Sequence, residues 1–533
     1  MRIPYLKEVN GKRILMVQDK PFLMLAGEVH NSSSSSVIYM EGVWDKADML
    51  GFNSILLPVT WEMIEPKEGE FEFSLVDGLI HQARERGKKL GILWFGAWKN
   101  AQCYYAPSWV KQDTQRFQRA QVEKGKNFTY LKDFHGMPYT TLSYLCEATN
   151  EADAKAFRTL MSHIKEVDEL ENTVVMVQVE NEAGLQGAAR ENSVKADALF
   201  EAAVPPDFVD YMKSNTCSMA TDVRNSVENG VAKGSWKEVF GENAEEIFSS
   251  YYIAGYINKV AAAGKEVYPL PMAVNCWLDK GQKAGSYPSG GPVARMMEVW
   301  HYCAPNIDII APDIYVTNFC DVCDEYVKLN NPLFIPETAT HSYAGPRLVY
   351  VIGHYHALGF APFGFEDLGG AFSAIDSYLF GVDVTDPAVK TPQNIDEYRW
   401  FNTALNELMP LLTKKYGTSD LQAVIVERKE TDTMIFGSYG FKILMDLPIL
   451  SRKDGVCLVL KEAEDEFYLI ANGCAVVPFS SNQEKPFVGI LSLEEGELKD
   501  GKWSMLRRLN GDEAAIMRYE KPSLLRLKLY QYD

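Results

Sequence analysis

Two apolar runs in this chain end abruptly in carboxylates. Residues 174–184 read VVMVQVENEAG and residues 331–341 read NPLFIPETATH. The first run stops at Glu180, Asn181 and Glu182, and the second at Glu337 between Pro336 and Thr338. A carboxylate is costly inside a sheet, so these side chains must project from strand ends. Asn-Glu also occurs at Asn150–Glu151 and Asn406–Glu407, but near helical stretches. Position is what singles out Asn181–Glu182. Two carboxyls facing each other across a gap can cleave a glycosidic bond. One protonates the leaving oxygen and the other attacks the anomeric carbon; a separation of ~5–5.5 Å goes with a covalent intermediate and net retention.

The elements that must hold these groups repeat one pattern over the first two-thirds of the chain. A short β-branched or aliphatic run ends in polar and aromatic residues, and a helical stretch follows. Such runs fall at Phe22–His30, Asn53–Thr60, Lys89–Phe95, Thr173–Glu180, Glu266–Asn275, Ile307–Tyr315, Leu333–Glu337 and Gly359–Glu366. Strands alternating with helices predict a parallel sheet, and eight of them close a (β/α)8 TIM barrel. Glu182 and Glu337 then end the fourth and seventh strands, on nearly opposite sides of the mouth. Ser74 is placed to cap a helix whose face is Val76, Leu79, Ile80 and Ala83 and which Gly87 ends. Phe157, Leu160, Met161 and Ile164 form a second stripe for the outer barrel wall. The long intervals 96–150 and 183–262 read as insertions that wall the site. After about residue 415 helical stripes give way to short runs such as Ala423–Val426, Thr433–Gly437, Val456–Leu460 and Phe467–Ile470. The organisation expected is a catalytic barrel over 1–414 and an all-β, sandwich-like accessory domain over 415–533.

Other strand ends supply further candidates for substrate binding. Trp61, Trp94, Trp98 and Trp277 stand at or just past strand ends, where a ring can stack on a pyranose or simply pack a loop. Asn275 ends the fifth run. Glu28, His30 and Glu366 end the first and eighth, in reach of the hydroxyls of a terminal sugar. Glu180 is open to two readings, a ligand for a sugar hydroxyl or a support for its neighbours.

Composition excludes several other classes. A formal net charge of -19 repels polyanions, so neither nucleic acid nor an anionic membrane surface is an expected partner, whereas a neutral oligosaccharide is not penalised. The N-terminal stretch lacks an apolar h-region with a small-residue cleavage site, and no run approaches a bilayer-spanning length. The nine cysteines are widely spread and odd in number, which reads as reduced thiols in a cytoplasmic protein. Cys320 and Cys323 form a lone C-x-x-C without a second pair, and the eight histidines show no H-E-x-x-H. No metal and no cofactor are expected, and homo-oligomerisation is left open.

The stretch Gln178-Val179-Glu180-Asn181-Glu182 resembles the Q-V-E-N-E motif of glycoside hydrolase family 35, the β-galactosidases of the clan A barrel glycosidases. Trp61 through Phe73, WEMIEPKEGEFEF, is similar to the family's W-x-x-x-E-P-x-x-G-x-(Y/F)-x-F stretch. The resemblance covers roughly residues 15–370, and the β tail looks like that of a bacterial branch. It implies Glu182 as acid/base, Asn181 on the sugar 2-hydroxyl and Glu337 as nucleophile. It further implies that Tyr315, ending the sixth run, hydrogen-bonds the nucleophile. The activity implied is that of a retaining exo-β-galactosidase acting on oligosaccharides. The loops after the first and third runs, Gly27-Glu28-Val29-His30-Asn31 and Gly96-Ala97-Trp98-Lys99-Asn100, differ from the family wording. β-Glucosides, β-mannosides and β-glucosaminides therefore stay open as alternative substrates. An inactive sugar-binding barrel is a further alternative, against which the presence of both carboxylates stands. A metal-dependent barrel hydrolase would need His and Asp ligands at strand ends.

Overall fold

Eight parallel strands close into a ring, as the alternating pattern predicts. A computed structural model describes residues 2–126, 140–370, 390–499 and 501–533; of the insertion at 96–150, residues 127–139 lie outside the described residues. The barrel strands are Met24–Glu28, Ser54–Thr60, Lys89–Lys99, Val174–Asn181, Met272–Trp277, Ile309–Ile314, the split pair Phe334–Ile335 and Glu337–Thr338, and Gly359–Phe360. Pro336 splits the seventh strand because it has no N–H to give to a ladder. The first half pairs with the eighth strand (Phe334↔Gly359) and the second with the sixth (Glu337↔Asp313). Gly359 also pairs with Met24, which closes the ring.

Side chains alternate between the two faces of each strand. Met24, Ala26, Leu56, Leu93, Phe95, Met176, Ala273, Ile309, Ala311 and Phe334 fill the barrel interior. Leu15 and Val17, from an N-terminal antiparallel sheet of Tyr5–Val9, Lys12–Val17 and Lys20–Phe22, join this core at the strand starts. The polar ends of the strands are thus left to the opposite mouth.

The outer layer follows from helical periodicity. In Val37–Leu50 the buried positions are Met40, Val43, Trp44, Ala47 and Leu50, one face at three- and four-residue spacing. Ser36 Oγ accepts from the Tyr39 N–H at its start, and Gly51 at φ 72° ends it. Ser74–Glu85 buries Val76, Leu79, Ile80 and Ala83, but Ser74 does not cap it. Glu72 lies two residues upstream and accepts the Ser74 N–H at 2.8 Å, so Ser74 becomes the first helical residue. Glu147–Asp168 and Ala244–Val267 cover the strands around the fourth.

Three strands depart clearly from the expected bounds, and the third does so by running on past Phe95 to Lys99. The fifth begins at Met272, not Glu266, because the helix Ala244–Val267 runs through Glu266 and the Pro269 and Pro271 turn separates the two. The eighth is only Gly359–Phe360; Gly364 turns the chain at φ 59° into the short helix Phe365–Asp367, which carries Glu366 off the sheet.

Beyond the helix Ile395–Lys414 the chain is nearly all antiparallel β. Leu421–Ile425, Val456–Lys461, Glu466–Asn472, Ser523–Tyr532, Phe487–Lys499 and Lys502–Leu509 form a six-stranded sheet. Thr431–Phe436, Tyr439–Leu444, Cys474–Ser480 and Arg518–Tyr519 form a four-stranded one. Phe436, Phe441, Phe467, Leu469 and Leu527 pack between them as a second core. Leu421, Ala423, Ile425, Leu458 and Leu460 instead join the core of the barrel's outer layer. Among the described residues no helix is long and apolar enough to cross a membrane.

Candidate active site

The fourth strand is buried throughout, and it ends by breaking its own alternation. Counting in twos from Met176, which faces the interior, Glu180 should also face inward. It does not, because Glu180 takes a left-handed backbone (φ 64°) that a non-glycine residue rarely adopts. Its carboxyl turns outward instead and accepts the Trp98 N–H at 2.7 Å. Asn181 and Glu182 then point into the mouth. Glu182 is itself left-handed at φ 45°, and its N–H donates to Asn275 Oδ1 at 2.9 Å.

The seventh strand delivers Glu337 from the other side. Its Oε1 accepts from Asn181 Nδ2 at 3.3 Å and from Asn275 Nδ2 at 3.2 Å. Its Oε2 accepts from the Tyr315 hydroxyl at 2.8 Å. Asn275 Nδ2 also donates to Asp313 Oδ2 at 2.8 Å, so one amide ties together the fourth, fifth, sixth and seventh strands. Oxygens of Glu182, Asp313 and Glu337 lie within 4.8 Å of one another. A cation could be surrounded at such a spacing, but Glu337 already accepts three protein donors.

Crowding of acids sets the protonation of this cluster. Burial, and then the negative charge of Glu337, push the Glu182 carboxyl up to about 8. Burial followed by the charge of Glu337 also holds Asp313 and Glu28 well above the usual carboxylate range. Among the described residues a single buried cation answers them, Lys99, whose Nζ donates to Asn181 Oδ1 at 2.8 Å. Burial opposes its charge, but Glu337, Glu182, Glu28 and Asp313 outweigh that and hold the ammonium above the usual lysine range.

Glu182, Glu337, Tyr315, Trp277, His30 and Lys99 line one cavity of about 470 Å³ at this mouth. Asn181 and Asn275 lie directly behind, bonded to Glu337. Glu28 is buried beside the cluster rather than on the cavity wall. Glu366 sits behind His30, accepting the His30 N–H at 3.1 Å and the Ser33 hydroxyl at 2.7 Å. Four further residues expected at the sugar are not brought to this cavity. Trp61 is fully buried and donates its Nε1–H to Glu65 at 2.9 Å, its ring edge-on to Trp109. Trp98 faces outward, edge-on to Tyr256 at 4.7 Å, as Trp94 does beside Asp153. Glu180 is the fourth: burial, and then the charge of Asp153, hold its carboxyl well above the usual range.

Lys99 and Asp313 are the site residues that sequence reasoning passed over. Asp313 stands in the run Pro312-Asp313-Ile314-Tyr315, two residues before an aromatic already singled out. Lys99 has a signal in period two, since Leu93 and Phe95 face inward while Trp94 and Trp98 pack outward. That pattern needs the strand to run on to Lys99, four residues past the Phe95 end expected from the sequence.

The fold and the mouth together define a (β/α)8 barrel whose strand ends gather carboxyls around one cavity. Residues 403–519 match a family described as a domain of unknown function (DUF5597). No curated protein matches the chain. Among solved structures, a cold-adapted beta-galactosidase from Rahnella sp. R3 is 13% identical with a TM-score of 0.44, over 73% of this chain and 56% of that one. An exo-beta-1,4-mannosidase from Opitutaceae bacterium strain TAV5 is 14% identical with a TM-score of 0.39, over 75% of this chain and 62% of that one. A beta-galactosidase from Bacillus circulans sp. alkalophilus is 10% identical with a TM-score of 0.46, over 95% and 99%. The chain thus spans less than two-thirds of the length of the first two.

Proposed function

We propose that the protein is a retaining exo-β-glycosidase that removes terminal β-galactosides from oligosaccharides, with Glu182 as acid/base and Glu337 as nucleophile. One observation carries this reading: two carboxyls in one cavity with opposite roles built in. Glu182, pushed up to about 8, keeps its proton at neutral pH and can donate it. Glu337 accepts from Asn181, Asn275 and Tyr315, the acceptor-only bonding of a carboxylate aimed into the cavity. Oxygens within 4.8 Å suit a covalent intermediate better than the ~6.5–9.5 Å at which a water fits between inverting carboxyls.

In the first step a Glu337 oxygen bonds to the anomeric carbon while the glycosidic C–O bond breaks and Glu182 gives its proton to the departing oxygen. In the second, Glu182 takes a proton from water as the water oxygen bonds to the anomeric carbon, which releases Glu337 and a sugar of unchanged configuration. Asn181 faces the same carboxylate and is the group proposed to hold the 2-hydroxyl. Galactose as the sugar rests on the motif resemblance, and a panel of 4-nitrophenyl β-glycosides separates it from glucose, mannose and glucosamine.

The mechanism is tested with a 2-deoxy-2-fluoro β-glycoside of the sugar that the panel selects. Fluorine slows both steps and a good leaving group keeps the first one running, so the ester accumulates. Peptide mapping is expected to find one sugar on Glu337. Inverted product by NMR would sink the mechanism; a label on another carboxylate would keep the mechanism and move the nucleophile.

A further inference from the structure

Lys99 reaches the carboxyl cluster from a tight turn. Its N–H and C=O pair with Gln102 at 2.8 and 3.0 Å, and the two residues between them, Asn100 and Ala101, are both left-handed at φ 52° and 57°. Two consecutive positive φ angles define a turn that Asn and Gly favour and that Ala enters only at some cost. The turn seats Lys99 beside Asn181, with which it is in register, and its ammonium lies 5.0 Å from the Phe95 ring centroid. The residue is 5% exposed.

The chemistry of the contact fixes the Asn181 amide. An ammonium only donates, so the atom of Asn181 that faces Lys99 at 2.8 Å must be the oxygen. The Asn181 N–H2 is then forced to the other side, towards Glu337. A neutral side chain at 99 would leave that amide oriented by its bond to Glu337 alone.

We propose that Lys99 is a positioning residue of this site: through Asn181 it holds an N–H2 donor at Glu337, and it supplies the buried positive charge among Glu28, Glu182, Asp313 and Glu337. The role in turnover rests on the glycosidase reading; the placement and the charge do not. Glu28 on the first strand, Glu182 past the fourth, Asp313 on the sixth and Glu337 on the seventh act on the ammonium through their charges. Lys280, beyond the fifth strand, acts on Glu182, and Tyr315 and His30 line the same cavity. A cation lowers the pKa of a carboxyl beside it, so its removal must raise the pKa of Glu182.

The experiment compares full-length wild type, Lys99→Met and Lys99→Arg. The first measurement needs no substrate. The carbon-13 carboxyl resonance of Glu182, assigned by its loss in Glu182→Gln, is titrated in each protein. The wild-type midpoint is expected at about 8. It should rise by about one unit or more in Lys99→Met and return towards wild type in Lys99→Arg. An unmoved midpoint in Lys99→Met overturns the proposal. The second measurement is kcat/KM on whichever 4-nitrophenyl β-glycoside the wild type hydrolyses. Lys99→Met should lose about 10- to 100-fold, and far less when Asn181→Ala is already present. Losses that multiply independently show that Lys99 does not act through Asn181 and overturn it as well. If Lys99→Met does not fold by circular dichroism, Lys99→Gln, which keeps length and polarity without charge, carries both measurements. If the wild type hydrolyses none of the glycosides, the glycosidase reading falls and the titration alone judges Lys99.

Discussion

In the proposed role of acid, Glu182 acts only while it holds a proton, and that sets a pH limit. Burial and the neighbouring Glu337 raise it to about 8, so kcat/KM is expected to hold at neutral pH and to fall as pH rises through that value. A plateau extending well past pH 9 would contradict the assignment. Glu182→Ala should slow glycosides with poor leaving groups far more than activated aryl glycosides, and azide should restore the latter by attacking the glycosyl ester. Equal loss on both, without rescue, would count against an acid/base role. For Asn181, a bond to the 2-hydroxyl that tightens in the transition state predicts that Asn181→Ala costs about 10- to 100-fold on normal substrates and much less on 2-deoxy ones. At this scale the meeting of Glu182, Glu337 and Asn181 at one mouth was legible because a carboxylate that ends an apolar strand must project from the sheet's end. Lys99 was not, because a lysine just past a strand reads as a solvated side chain until the strand's true end is known.

The elements explain why some strand-end residues do not reach the cavity. Alternation assigns a residue to the inside or the outside of the barrel, and one left-handed residue reverses it. Glu180 is such a residue, and it is spent on joining the third and fourth strands through Trp98, next to Asp153, Trp94 and Tyr256. Removing a buried acceptor leaves its donor unpaired, so Glu180→Ala should lower stability to urea by about 1–3 kcal/mol and reduce activity through loss of the Glu182 geometry. Glu180→Gln, which keeps an acceptor for the Trp98 N–H, should recover most of the stability. Unchanged stability in Glu180→Ala with a raised KM would return the residue to sugar binding. Sequence patterns found all eight barrel strands, since hydrophobic runs mark them. They misjudged the fifth because the apolar helix Ala244–Val267 continues to within five residues of Met272. Nor could they foresee the reversal at Glu180, which is a backbone choice of one residue.

For the whole molecule the question is whether the β tail is an independent appendage, and its packing argues that it is not. Leu421, Ala423, Ile425, Leu458 and Leu460 belong to the same core as the barrel's outer layer. Gly353, in the last turns before the eighth strand, lies so close to Ala423 and Leu458 that a side chain there would clash with both. At this joint Arg347, 2% exposed, donates to both oxygens of Glu427 at 2.9 and 2.6 Å. Arg347 sits on the helix that follows the seventh strand and its catalytic candidate, while Glu427 follows the first strand of the tail. A buried guanidinium stripped of its carboxylate keeps its desolvation cost without the compensating bonds, so Glu427→Ala should destabilise the protein by about 3 kcal/mol. Arg347→Met with Glu427→Leu, which removes both charges and keeps the volume, should cost much less. Cutting the chain at residue 414 removes the partner surface altogether and leaves a barrel with an apolar outer patch. The expectation is that residues 1–414 expressed alone are insoluble or unfolded by circular dichroism. Should that fragment fold with wild-type melting behaviour, the tail would be an accessory module after all; tight binding of residues 415–533 to a polymeric glycan would then give it a function of its own.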